Sequence, residues 1–295
     1  MKAMSVLWML FPTAVLGAQG VLFDDFSYAE PAAMRAGGWS LRSRPGWPGL
    51  EGASWGENIS LLPDGDNPSN RVLRMTAQTN GQGKQTRQAQ FCHQRKFFEG
   101  TYAARIRFAD TAVSGPSGDV VVQSFYLISP LEKDLSPTYS ELDFEYLPNG
   151  GWGETGPTLF NTSWETVQME PWKPLNDHHM MAGKLGGWHV LVLQAAAGEV
   201  KYYLDGKLAA KHAGKHYPKV PMSLNFNLWF TREGVVKDSA MRTWHEDIDW
   251  VFHAQNKVLS PAEVEAAVAG YRKAGTTRLD TVPQLQPPLP CDCDM

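Results

Sequence analysis

The 295-residue sequence predicts an all-β fold, a β-sandwich with one short helix near its C-terminus. Three observations predict it. Short segments of alternating apolar and polar residues recur along the chain, separated by Gly, Pro, Asn and Asp, as strands joined by turns require. Apolar spacing of helical period is nearly absent before residue 260. A hydrophobic content of 43% supplies core for one large all-β domain rather than two.

In chain order, Lys2 precedes an apolar run over residues 3–16, followed by the small residues Gly17, Ala18 and Gly20. This is the pattern of a secretory signal cleaved after Ala18 or Gly20. The run is short for a membrane span and is interrupted by Pro12, so an uncleaved anchor is the weaker alternative. The mature protein is therefore expected to be secreted or periplasmic, a monomer with no stable membrane insertion. Candidate strands cover 72–77, 100–108, 120–128, 141–147, 158–166, 188–194, 200–204, 222–230 and 248–253. Asp205-Gly206 has hairpin-turn chemistry. Ser260-Pro261-Ala262-Glu263 is a capping box with Pro at the first helical position, opening a helix through Val264, Val268 and Tyr271 that ends near Gly275. Beyond the folded domain, 21–275, the Pro-rich stretch 276–295 reads as a loosely held tail. Cys92 stands alone while Cys291 and Cys293 lie in that tail, so a bridge from Cys92 to the tail would leave one odd thiol.

The segment Ser140-Glu-Leu-Asp-Phe-Glu-Tyr146 concentrates chemistry on one candidate strand. Successive strand side chains point to opposite faces, so Leu142, Phe144 and Tyr146 enter one layer while Glu141, Asp143 and Glu145 line the other. Acids crowded on one face repel and raise one another's pKa, a poor structural arrangement but a useful catalytic one. Glycoside hydrolysis needs one ionised carboxylate and one protonated carboxyl. A solvated edge strand and a calcium site are the competing readings of these seven residues.

Composition narrows the partner. A net charge of -4 and a pI near 6.1 provide no basic stripe for nucleic acid. Eleven Trp, thirteen Phe and nine Tyr exceed what the core requires, and aromatic faces are natural platforms for sugar rings. A neutral substrate is expected.

With the strands placed, Glu141-Leu-Asp-Phe-Glu145 resembles the active-site strand of glycoside hydrolase family 16, retaining enzymes on a concanavalin-like β-jelly roll. Gly100-Thr-Tyr-Ala-Ala-Arg-Ile-Arg, Gln123-Ser-Phe-Tyr-Leu-Ile128, Gly187-Trp-His-Val-Leu-Val-Leu, Val200-Lys-Tyr-Tyr-Leu-Asp-Gly206, Met222-Ser-Leu-Asn-Phe-Asn-Leu-Trp229 and Asp247-Ile-Asp-Trp250 resemble other family strands in order. The likeness spans roughly 22–253. It implies Glu141 as nucleophile, Glu145 as general acid/base and Asp143 as the acid supporting the nucleophile. The even spacing resembles the unbulged branches, which include lichenases and xyloglucan-active enzymes, and Ser140 departs from the acid that many relatives carry there. Residues four apart on a flat strand are about 13 Å apart at Cα, whereas a retaining pair needs carboxyls about 5–5.5 Å apart, so the strand must curve and both Glu side chains must lean inward.

The resemblance places Trp229 on the cleft-lining strand as a sugar platform, with Arg232 and Glu233 beyond it as hydroxyl partners. Asn161, Ser163 and Trp164 are expected on the cleft face of the next strand, and Trp152 and Glu154 at its rim or on a plain loop. Asp177-His178-His179 reads as a solvated loop rather than a metal site. No cofactor is expected; a structural calcium ion is compatible with such folds, with no ligands to name. The sequence thus points to a retaining, endo-acting hydrolase of a β-linked glucan or similar neutral polysaccharide. A transglycosylase and a catalytically silent carbohydrate-binding jelly roll are the alternatives, the latter disfavoured because all three acids are present.

Overall fold

The computed structural model describes residues 20–56, 58–232, 234–289 and 293. The signal segment lies almost wholly outside the described residues, as do Glu233 and Cys291. The first strands are β1 (Val21–Asp24), β2 (Trp39–Leu41), β3 (Ser54–Trp55), β4 (Ile59–Pro63), β5 (Arg71–Thr79) and β6 (Arg87–His93). There follow β7 (Gly100–Phe108), β8 (Val121–Ile128), β9 (Glu141–Leu147), β10 (Thr158–Gln168), β11 (Lys173–Ala182) and β12 (Gly187–Ala196). The chain continues through β13 (Glu199–Leu204), β14 (Lys207–Ala213), β15 (Ser223–Phe230), β16 (Arg242–Gln255), the helix α1 (Pro261–Lys273) and β17 (Arg278–Asp280).

Two antiparallel layers form a jelly-roll sandwich. The front sheet runs β2-β6-β15-β8-β9-β10-β11. The back sheet runs β4-β5-β16-β7-β12-β13-β14, and β1 takes over from β5 beside the later half of β16. Between the layers lie Leu142, Phe144 and Tyr146 of β9 with Phe125, Leu127, Leu224 and Phe226 in front, against Tyr102, Ile106, Leu191 and Trp244 behind. The face expected to be core on the acidic strand is therefore core.

The helix covers the outside of the back sheet. Val264 and Val268 pack on Phe23, Val192, Trp250 and Phe252, and Tyr271 stacks on Phe23 at 5.0 Å. Its capping box is present, Glu263 N–H donating to Ser260 Oγ and Ser260 N–H to the Glu263 carboxylate. Among the described residues no helix is long and apolar enough to cross a membrane.

Three expectations are corrected. The tail is not loose over its first part: β17 pairs with β1, Val282 is buried, and Cys293 is disulfide-bonded to Cys92, with the two Cα atoms 5.6 Å apart. Backbone pairing and a covalent tie outweigh the Pro-rich composition that suggested a solvated segment. Residues 173–182, with Asp177-His178-His179, form strand β11 rather than a loop. As the outermost strand of its sheet, β11 is exposed along most of its length, so it lacks the apolar alternation that identifies a half-buried strand. The strand expected at 248–253 begins at Arg242, because the polar residues before Ile248 pair with β5.

Candidate active site

The outer face of the front sheet holds a cavity of about 460 Å³. Register fixes which side chains share it, because residues directly opposite on paired strands point the same way. Glu141 stands between Ile128 of β8 and Trp164 of β10, Asp143 between Tyr126 and Thr162, and Glu145 between Ser124 and Phe160. All three acids line the cavity, Asp143 almost fully buried and the two Glu residues partly exposed. The alternation read from the sequence thus brings them to one face.

Their hydrogen bonding is unequal. Tyr139 OH donates to Glu141 Oε2, and Trp164 Nε1–H donates to Asp143 Oδ2 at 2.8 Å. No donor among the described residues reaches Glu145. Tyr126 OH accepts from Gln90 Nε2 at 2.8 Å and from Asn227 Nδ2 at 3.2 Å, while Ser124 Oγ donates to Asn227 Oδ1. With both acceptor positions of Tyr126 occupied, its hydroxyl proton is free to serve a ligand in the cavity.

Electrostatics separates the acids further. Burial raises Glu141 to about 7, held back by its hydrogen bonds from Tyr139 and Asp143. Burial, then the neighbouring Glu141 charge, raises Glu145 to about 8. Asp143 lies well above the carboxylate range, first through burial and then through repulsion from Glu141 and Glu145, with Trp164 pulling the other way. The interaction of Asp143 with Glu141 favours the ionised form of Glu141 and disfavours that of Asp143. The cluster can therefore present one carboxylate and one protonated carboxyl near neutral pH.

Of the expected sugar contacts, Trp229, Trp164 and Trp152 line the cavity. Trp229 is also packed against Val122, Leu147 and Phe160, 7% exposed, with a buried Nε1–H that finds no partner among the described residues. It is both a wall of the site and part of an apolar cluster. Asn161 is a correction: it pairs with Phe144 and turns into the interior, as does Ser163 opposite Leu142. There Asn161 Nδ2 donates to the His179 carbonyl, and Ser163 bonds Tyr202 and His212. On the regular part of β10, Phe160, Thr162 and Trp164 face the acids; past the bulge between Trp164 and Thr166 the parity changes, and Val167 also lines the cavity. Arg232 is a second correction, an exposed residue of the turn after β15 and outside the cavity lining. Glu154 is exposed in the hairpin and also outside it. His178 faces the cavity, but among the described residues no group of three His, Cys, Asp or Glu side chains is placed to hold a metal ion.

Sequence reading missed Tyr139, Tyr126, Asn227, Trp47 and Trp172. Tyr139 carries the parity of the acids one step back, and Asn227 carries that of Trp229, so extending each alternation by two residues finds them. Trp47 and Trp172 lie in loops, where no periodicity marks a face.

A family model described as "Glycosyl hydrolases family 16" matches residues 56–252. Among solved structures, the chain is similar to a Bacillus licheniformis beta-glucanase at 13% identity and a TM-score of 0.57, covering 80% of this chain and 99% of that one. It is similar to a Bacteroides ovatus family 16 protein of a mixed-linkage glucan utilisation locus, in complex with an oligosaccharide product, at 18% identity and a TM-score of 0.59, covering 78% and 98%. A kappa-carrageenase from Zobellia galactanivorans is similar at 17% identity and a TM-score of 0.56, covering 82% and 98%. No curated protein matches the chain by sequence. At these identities the structural likeness speaks for the fold.

Proposed function

The chain belongs to glycosyl hydrolase family 16 and is a glycosidase, and we propose that it cleaves a β-linked glucan internally, with retention of anomeric configuration, by double displacement. The observation that carries this reading is the unequal hydrogen bonding of two acids on one strand. Glu141, supported by Tyr139 and Asp143, gives up its proton first, near 7, and attacks the anomeric carbon. Glu145, with no donor to favour its ionised form, keeps its proton to about 8 and delivers it to the departing glycosidic oxygen. In the second step Glu145, now ionised, takes a proton from water, and the hydroxide formed displaces Glu141. Asp143 shares its proton with Glu141 while that carboxylate is free. Trp229 and Trp164 offer faces for sugar rings. The beta-glucanase and the mixed-linkage glucan protein among the structural relatives support the substrate class.

The apolar N-terminal run and the Cys92–Cys293 bridge support export to an oxidising compartment, secreted or periplasmic. Stereochemistry tests the mechanism. With an activated leaving group and azide, Glu141→Ala should yield a glycosyl azide of inverted configuration, and Glu145→Ala one of retained configuration. Swapped outcomes would exchange the two roles, and full activity in either variant would remove this strand from the chemistry.

A further inference from the structure

Two tryptophans from loops far apart in the chain meet across the site. Trp47, between β2 and β3, is 43% exposed, and Trp172, in the turn between β10 and β11, is 53% exposed, yet their rings are 6.2 Å apart. Large aromatic side chains held out in solvent are the informative exception to burial. Both loops are anchored. Arg42 Nη2 donates to the Trp47 carbonyl at 2.8 Å, and Trp55 Nε1 donates to Gly46 O at 3.1 Å. On the other side, Met169 N–H donates to Asp134 Oδ1 at 3.0 Å.

The rings continue on both sides. Trp47 lies 6.5 Å from Trp229, and Trp172 lies 6.2 Å from Trp164. Trp229 is on β15 and Trp164 on β10, and β8 and the acid-bearing β9 lie between those strands. Trp164 is level with Glu141, whereas Trp229 is level with Val122, past the Glu145 end of the row. The line of four rings therefore runs from one corner of the site to the opposite one. Its two middle members come from loops rather than from the floor, so the line passes above the acids.

We propose that Trp47 and Trp172 form an aromatic arch over the catalytic acids that restricts the substrate to unbranched β-glucan chains. This rests on the glucan-hydrolase reading. A sugar at the acids has Trp229 and Trp164 at its sides and the two loop rings above it. A linear chain passes beneath by its flat faces, stacking as it goes. A residue bearing a side-chain sugar collides with the arch.

The test compares the linear β-glucan that the protein cleaves best with the same backbone carrying single glucosyl side chains. It uses the wild type, Trp47→Ala, Trp172→Ala and the double variant, with kcat/KM and product sizes measured on each polymer. The wild type should prefer the linear polymer by about tenfold or more, a discrimination of the size that one steric contact supplies. The double variant should gain on the branched polymer until the preference falls to about twofold, and each single variant should lie between. Because both side chains are exposed and each is changed separately, folding failure in one leaves the other informative. An unchanged preference in folded variants that still cleave the linear chain overturns the arch and leaves the glucanase reading standing. No cleavage of any β-glucan by the wild type overturns the glucanase reading, and the arch with it.

Discussion

Strands β9 and β16 each carry acids at two-residue spacing, and the molecule treats them oppositely. On β16, Asp247 receives both nitrogens of an Arg74 fork, at 2.7 and 2.8 Å. Two residues on, the fully buried Asp249 accepts from Arg105 at 2.7 Å, Arg272 at 2.5 Å and Asn70 at 2.7 Å. On β9, no arginine or lysine among the described residues forms an ion pair with Glu141, Asp143 or Glu145, and burial drives all three upward. Buried charge is normally paired because leaving it unpaired is costly. Asp247 and Asp249 obey that rule and the three acids of β9 break it, so the motif alone does not mark a site. What marks it is a row of acids without a counter-ion that opens on a cavity, whereas Glu246, which also has no ion pair among the described residues, is closed between the sheets.

The largest expected effects pull the two strands apart. Glu141→Gln should lower turnover by about ten-thousandfold or more, because the proposed nucleophile is lost, while denaturant unfolding shows a protein at least as stable as the wild type at pH 8. Asp249→Ala should do the reverse. It strands two guanidinium groups and an amide, costing about 2 to 4 kcal/mol, with the discount due because both arginines are partly exposed. The folded fraction should keep its kcat within about twofold, since α1 and the back sheet lie behind the core. Loss of turnover without loss of stability in Asp249→Ala would erase the distinction.

How legible each region was in the sequence follows from the same physics. Leu142, Phe144 and Tyr146 could be assigned to the core and Glu141, Asp143 and Glu145 to the opposite face because that strand has a clean period of two. The helix start could be read because Ser260 and Glu263 act locally. The pairing of Asp249 with Asn70, Arg105 and Arg272 could not, because it joins four segments that only the fold brings together. Strand β6 was missed because its alternation, Gln88-Ala89-Gln90-Phe91, is short and sets glutamines rather than strand formers against the apolar residues, although six of its seven residues are buried. Asn161 was misplaced for a simpler reason: it was put on one face with Trp164, three residues on, although residues of opposite parity on a regular stretch of strand point to opposite sides.

A smaller effect separates the strands by pH. Glu141 and Glu145 rise in the folded state to about 7 and about 8 from an ordinary value of 4.5, so between those limits the native protein holds protons that the unfolded chain has released. Stability from these groups is complete below pH 4.5 and is lost as pH rises through 7 and then 8. Glu246, buried between the sheets and held well above its usual range by burial, adds to the same slope. The Glu141→Gln/Glu145→Gln double variant should match the wild type near pH 4 and be the more stable of the two near pH 9, measured by denaturant unfolding across pH. Parallel stability curves would mean that the acids are solvated well enough to titrate normally.

The smallest effect isolates one hydrogen bond. Tyr139 OH donates to Glu141 and favours its ionised form, whereas Glu145 has no such donor. Removing the hydroxyl in Tyr139→Phe should raise Glu141, and one charge-assisted hydrogen bond of about 1.5 kcal/mol corresponds to about one pH unit. The acid limb of the kcat/KM profile, governed by loss of the Glu141 proton near 7, should move up by that amount, while the basic limb, governed by Glu145 near 8, should stay almost in place. The bell should narrow and its peak fall, because fewer molecules hold Glu141 ionised and Glu145 protonated together. The two limbs belong to a coupled cluster, so the separation between them is the quantity to compare across variants. Both limbs moving together would assign Tyr139 to general desolvation of the site, and neither moving would show that Asp143 alone supports the nucleophile.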